Sequence, residues 1–289
     1  MKLPNLDIWV TEQGPPQVTD LIRHGVPDGV FSLFPSLKGL NLRGEAALGW
    51  LTLFETTKDR TPPWIVACDG LVAITYYHHA LPIDSSLTSR FLPFVDLSDL
   101  RIMMGCLFRP CASRFTDQDV ERLAIALPRL EILKLGDRPC SADTCPTTVR
   151  SLLSLSIHCT KLEYLNIHFR MANLRADVLG MLAYAYSQGL HSKPKCALKT
   201  LVAGGMPIRL SDYDPGLVSI GVLMIFPSLT EFDARGGSPA WSRVGTLVKA
   251  LGQVRDTAAL TEVFMTRLNE ARELAEKGIP TCSAVRSHF

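Results

Sequence analysis

Hydrophobic positions along the chain follow two rhythms, one of period two and one of about three and a half residues, and the switch between them recurs at a regular interval. In Leu127-Pro128-Arg129-Leu130-Glu131-Ile132-Leu133-Lys134-Leu135-Gly136, the residues Leu130, Leu133 and Leu135 follow an L-x-x-L-x-L spacing whose last two members alternate with outward positions. That is the pattern of a half-buried strand. The same frame appears in Leu37 to Leu42, Leu97 to Ile102 and Leu162 to Ile167. With substitutions it also appears in Leu71 to Tyr76, Leu198 to Ala203 and Leu229 to Ala234, and most loosely in Leu6-Asp7-Ile8-Trp9. The opening leucines Leu6, Leu37, Leu71, Leu97, Leu130, Leu162, Leu198 and Leu229 divide 223 residues into seven intervals, a mean near 32.

Between these phrases the spacing becomes helical. Thr116 precedes Asp117-Gln118-Asp119, and Val120, Leu123, Ala124 and Leu127 then recur on one helical face. Thr116 is therefore the expected N-cap, with acids in the first turn and Pro128 ending the helix. A second helix is expected from Pro146 through Ile157, and a third starts at Pro215, capped by Asp212 or Asp214. Trp241, Val244, Leu247, Val248 and Leu251 extend the pattern past the last phrase.

A strand that returns every 32 residues or so through a helix comes back parallel, with all crossovers on one side. Self-similarity at this period predicts an α/β solenoid: a curved parallel sheet on the concave side, helices on the convex side, and irregular repeats of about 32 residues. Residues 1–252 are expected to hold about eight repeats. Residues 253–277, charged along one side, are the expected C-terminal capping helix, and 278–289 an expected disordered tail.

Composition changes this picture little. The 289 residues are 47% hydrophobic and 20% charged, with a formal net charge of +2 and pI near 8.1. No run of five like charges marks nucleic acid or an anionic membrane as a partner. The start, Met1-Lys2-Leu3-Pro4-Asn5, has no signal-like apolar stretch, and the run from Gly216 to Phe226 is too short to span a bilayer. The expected setting is intracellular, cytoplasmic or nuclear. Cys68 and Cys159, just ahead of repeat leucines, read as small buried hydrophobes.

Candidate chemistry is thin. Cys106 with Cys111 and Cys140 with Cys145 invite a zinc site if His78, His79 or His158 converged on them, but their order matches no zinc-ligand pattern. Gly204-Gly205 and Gly236-Gly237 follow strands without a G-x-G-x-x-G or a G-K-[ST], and read as turn glycines. His78, Asp84 and Ser85 supply hydrolase ingredients without a nucleophile elbow. No metal, cofactor or catalytic residue is expected. Positions two, four and six beyond each opening leucine should instead face the concave side. They include Arg43, Tyr77, Arg101, Met103, Lys134, Tyr164, Asn166, His168, Asp233 and Arg235, a set containing the types enriched at protein interfaces.

Several phrases carry a family resemblance. They are Phe115-Thr116-Asp117-Gln118-Asp119-Val120-Glu121-Arg122-Leu123 running into Ala126-Leu127-Pro128-Arg129-Leu130, then Thr148 to Leu153, Cys159 to Leu162, Met206-Pro207-Ile208, and Ile225 to Leu229. In this order, the chain resembles the leucine-rich-repeat region of fungal F-box proteins from about Leu3 to about Leu251. The resemblance implies a substrate-recruiting adaptor of a cullin-based ubiquitin ligase, in which repeats hold the target and the F-box docks a linker subunit. No F-box fits before Leu6, so the expectation is a binding surface without one. Docking of the ligase linker is expected only if an F-box precedes Met1. The expected partner is a protein on the concave face. The alternatives are a repeat scaffold with no ubiquitin role and, least favoured, an enzyme using His78, Asp84 and Ser85.

Overall fold

The computed structural model describes residues 5–9, 38–43, 73–78, 88–104 except 90 and 93, 115–136, 146–169, 180, 196–204, 215–235, 239–253, and positions 262, 266 and 269. Within these residues every period-two phrase is a strand: β1 (Asn5–Trp9), β2 (Gly39–Arg43), β3 (Ala73–His78), β4 (Asp99–Met104), β5 (Ile132–Leu135), β6 (Tyr164–Ile167), β7 (Thr200–Gly204) and β8 (Glu231–Arg235). They form one sheet in the order β1 to β8, and all seven neighbouring pairs are parallel. Among the described residues, four helices accompany them. Helix α1 (Asp117–Ala126) connects β4 to β5, α2 (Val149–His158) connects β5 to β6, α3 (Pro215–Ile225) connects β7 to β8, and α4 (Pro239–Gln253) follows β8.

Strand register follows the leucine frame. Leu40, Ile74, Leu100, Leu133, Leu165 and Leu201 lie side by side across six strands and are each at most 2% exposed. Ile102, Leu135, Ile167 and Ala203 form a second buried line two residues on. Both lines join Val120 and Leu123 of α1, Leu152 and Leu155 of α2 and Val218 and Val222 of α3 in a single core. The alternation of the strand thus sends one set of side chains toward the helices and the other away from them.

The same backbone bonds recur from unit to unit. Each of α1, α2 and α3 closes with an N–H to the carbonyl four residues back, as in Leu127 to Leu123, Cys159 to Leu155 and Phe226 to Val222. Three residues later the strand-opening leucine turns back on that closing residue, as in Leu130 to Leu127, Leu162 to Cys159 and Leu229 to Phe226. One carbonyl then accepts two consecutive amides of the next strand: Ser98 takes Glu131 and Ile132, Glu131 takes Glu163 and Tyr164, Glu163 takes Lys199 and Thr200, and Lys199 takes Thr230 and Glu231. These junctions satisfy the backbone where helix passes to strand.

Thr116 caps α1 as expected, in a reciprocal box with Asp119. The Asp119 amide donates to Thr116 Oγ1 at 3.2 Å and the Thr116 amide donates to Asp119 Oδ2 at 3.0 Å. This explains why Asp119, a buried carboxylate, is tolerated. Helix α2 begins three residues later than Pro146, at Val149, because Thr148 is its N-cap. Cys159 is buried, as expected, and so is Cys196, which the sequence reading did not single out; both also act as weak donors. The Cys196 thiol lies 3.2 Å from the Cys159 carbonyl, and the Cys159 thiol lies 3.7 Å from the carbonyls of Ala124 and Leu127. Burial pushes the Cys159 thiol up to about 12 and that of Cys196 to about 11.

At the C-terminal end, Trp241 of α4 stacks on Phe232 with ring centroids 5.7 Å apart and meets Phe169 edge-on at 6.0 Å. Gly245 lets the helix approach the sheet, since a Cβ there would stand 2.9 Å from the Phe232 carbonyl oxygen.

The connections between β1 and β2 and between β2 and β3, and most of that between β6 and β7, lie outside the described residues, so the helices expected there are not seen. Asp212, Asp214, Cys68 and the tail at 278–289 are also outside them. Of the expected capping helix, Glu262, Thr266 and Asn269 are described; they are helical and exposed. Among the described residues no helix is long and apolar enough to cross a membrane.

Candidate functional site

The outward positions of the strands line up in rows on the face away from the core. One row runs Asp99, Ile132, Tyr164, Thr200 and Glu231 through β4 to β8. The next runs Asn41, Thr75, Arg101, Lys134, Asn166, Val202 and Asp233 through β2 to β8. In a third, Arg43, Tyr77 and Met103 are register partners. Strands lie about 4.7–4.9 Å apart, so register partners are side-chain neighbours.

Most of the expected surface residues therefore fall together. Arg101, Lys134 and Asn166 are consecutive in one row, with Asp233 two strands further on, and Tyr164 is diagonal to Lys134. Met103 lies one row over, beside Tyr77. Arg235 pairs with Gly204 at the far edge, and His168 follows the end of β6. For Asn41, Arg43, Tyr77 and Arg235 the structure describes only the backbone register.

Arg101 is held flat along its own strand by Asp99, its Nε donating to Oδ1 at 2.7 Å and its Nη2 to Oδ2 at 2.6 Å. The Lys134 ammonium lies 4.8 Å from the centre of the Tyr164 ring, a cation–π contact between adjacent strands. Thr200 donates its hydroxyl to Glu231 at 3.1 Å. Cations thus occupy β4 and β5, while Glu231 and the exposed Asp233 make β8 acidic. Asp99, Thr200, Glu231 and Val202 were not singled out from the sequence, although the same count of two or four residues past the opening leucine reaches them.

Asn166, expected to face the concave side, is only 3% exposed. Its neighbours are larger than itself: Tyr164 and His168 on its own chain and Lys134 across the register. Val202 beside it is equally buried yet does not belong to the hydrophobic core.

His168 packs against Gly136, which has a φ of +104°, and a Cβ there would stand 3.0 Å from the imidazole. Burial lowers the His168 pKa to about 4, so the ring is neutral near pH 7.

The other candidates do not assemble into a site. His78 ends β3 and Gly204 ends β7. His79, Asp84, Ser85, Cys106, Cys111, Cys140, Cys145, Gly205, Gly236 and Gly237 lie outside the described residues. His158 closes α2. Among the described residues no three His, Cys, Asp or Glu groups converge as they would around a metal ion. Compared with known proteins, the chain matches no family model and no curated protein.

Proposed function

We propose that the chain is a leucine-rich-repeat binding module that holds a protein target on the concave strand face, as the substrate-recruiting repeats of fungal F-box ubiquitin-ligase adaptors do. The observation that carries this reading is the row of Arg101, Lys134 and Asn166 on consecutive strands, with Tyr164 diagonal to it, on the face away from the hydrophobic core. A strand every 32 residues or so, with the same junction bonds ahead of β5, β6, β7 and β8, supports a repeat origin for that row. On this reading the chain is not an enzyme, needs no cofactor and works inside the cell.

The test is capture of partners from a cell extract by the full chain, repeated with Arg101→Ala, Lys134→Ala, Tyr164→Ala and His168→Ala. Controls carry Glu121→Ala and Arg122→Ala on α1. Loss of a specific partner with the sheet variants alone is the expected result, with about thirtyfold weaker binding for a central residue. Loss confined to the helix variants means that the wrong face has been assigned. Co-purification of ligase components with the partner separates a ubiquitin role from a plain scaffold.

A further inference from the structure

Main-chain direction alternates along a strand, and the bonds between strands fix which residues turn which way. The Glu231 amide donates to the Lys199 carbonyl, so Glu231, Asp233 and Arg235 turn their main-chain groups toward β7. Phe232 and Ala234 then turn theirs the other way, off the edge of the described sheet. A row of outward N–H and C=O groups is a template for another strand.

Helix α4 lies along that row. A Cβ at Gly245 would stand 2.9 Å from the Phe232 carbonyl oxygen, and one at Gly252 would stand 3.2 Å from the Leu229 carbonyl oxygen. The seven residues between the glycines rise about 10.5 Å in a helix. The three between Leu229 and Phe232 cover about 10 Å of strand. The helix therefore runs antiparallel to β8 with a glycine at each close approach. Trp241, Val244 and Val248, each at most 1% exposed, anchor it in the core.

We propose that α4 guards the β8 edge, and that the strand it keeps out is β1 of a second copy of this chain. The fit of β1 comes from register. Leu6 and Ile8 pair with Leu40 and Leu42, so β1 carries the same frame as every later strand. The Ala73 amide donates to the Lys38 carbonyl, which sets the alternation at this end: Asn5, Asp7 and Trp9 turn their main-chain groups away from β2. With Leu6 beside Phe232 and Ile8 beside Ala234, the Phe232 amide meets the Asn5 carbonyl and the Phe232 carbonyl meets the Asp7 amide. Ala234 meets Asp7 and Trp9 in the same way. A second copy thus continues the sheet in its existing pattern once α4 moves aside.

The experiment reads self-association of the full chain by light scattering, and the seating of α4 by hydrogen exchange over residues 239–253. The parent should be monomeric. Gly245→Leu should exchange faster over α4 and assemble as concentration rises, into species larger than a dimer, because β8 on β1 is a head-to-tail contact that does not close on itself. Gly252→Leu takes its place if Gly245→Leu does not fold. Adding Ala234→Pro or Asp7→Pro should restore the monomer, since each removes an outward N–H and leaves the bonds to β7 or β2 in place. Assembly of the parent overturns the proposal, as does a variant that stays monomeric with α4 released or one whose α4 remains seated. Assembly that neither proline reduces means collapse of exposed apolar surface instead of strand pairing, and loss with Ala234→Pro alone overturns the choice of β1.

Discussion

The carboxylate of Asp117, in the first turn of α1, holds the N-cap of the following helix through Thr148. Asp117 Oδ1 accepts from the Thr148 amide at 2.7 Å and Oδ2 accepts from the Thr148 hydroxyl at 2.6 Å. Ser151 of α2 adds a third bond, to Oδ1, at 2.6 Å. One acid therefore sits at the positive end of its own helix and ties down the start of the next, 31 positions along the chain.

Replacing this acid tests how strongly adjacent helices are coupled. Asp117→Ala leaves the Thr148 amide and two hydroxyls without their acceptor and is expected to lower stability by about 3 kcal/mol. Asp117→Asn should cost less. In urea unfolding, Asp117→Ala combined with Thr148→Val should fall short of the sum of the single variants. Full additivity would mean that the bond carries no energy.

Neighbouring residues on β5 should respond oppositely to the same charge. Leu133→Asp puts an uncompensated carboxylate into the core and should remove about 4 kcal/mol or more. Lys134→Asp, one residue on and facing away, should lose only about 1 kcal/mol with the cation–π contact. Equal thermal shifts would contradict the assignment of the two faces.

Gly136→Ala combines backbone strain at φ +104° with a collision against the His168 ring. The expected loss is about 2 kcal/mol. Repeating it in a His168→Ala background should recover the collision but not the strain. Full recovery would show that the backbone at Gly136 is relaxed.

Cys159 and Cys196 should resist alkylation. With their thiols held up at about 12 and 11, iodoacetamide at pH 8 should leave both unmodified in the native chain and label both in urea, as read by peptide mass spectrometry. The folded state keeps these protons longer than the unfolded one, so their stabilising contribution is complete below the unfolded value near 9 and fades as pH rises through 11 to 12. Rapid native labelling would place them outside the core.

His168 works in the opposite direction. Its folded value of about 4 lies below the ordinary 6.5, so the unfolded chain binds the proton first as pH falls. Its contribution is complete above pH 6.5 and is lost toward pH 4. His168→Asn should flatten the stability profile across that window, and an unchanged profile would mean that the imidazole is solvated.

Local patterns made much of this fold legible. The leucine frame marked all eight strands and their pairing, because residues equally distant from successive opening leucines are register partners, as Leu100, Leu133 and Leu165 are. Thr116 was readable as a cap from its three following residues. The Asp117 clamp was not, since its partner is a whole unit away and either residue alone fits an ordinary helix start. Asn166 could be placed in the outward row by counting from Leu162, but its burial could not be read. Alternation specifies direction, while burial depends on the size of neighbours on other strands. The lack of space for a side chain at Gly136 likewise depends on the imidazole packed against it.

The strictly sequential strand order also bears on biosynthesis. As the chain leaves the ribosome, each new strand finds the edge it must join already made, and none has to wait for a later segment or insert between two finished ones. Assembly can therefore keep pace with translation, with growth confined to one edge of the described sheet, that of the newest strand.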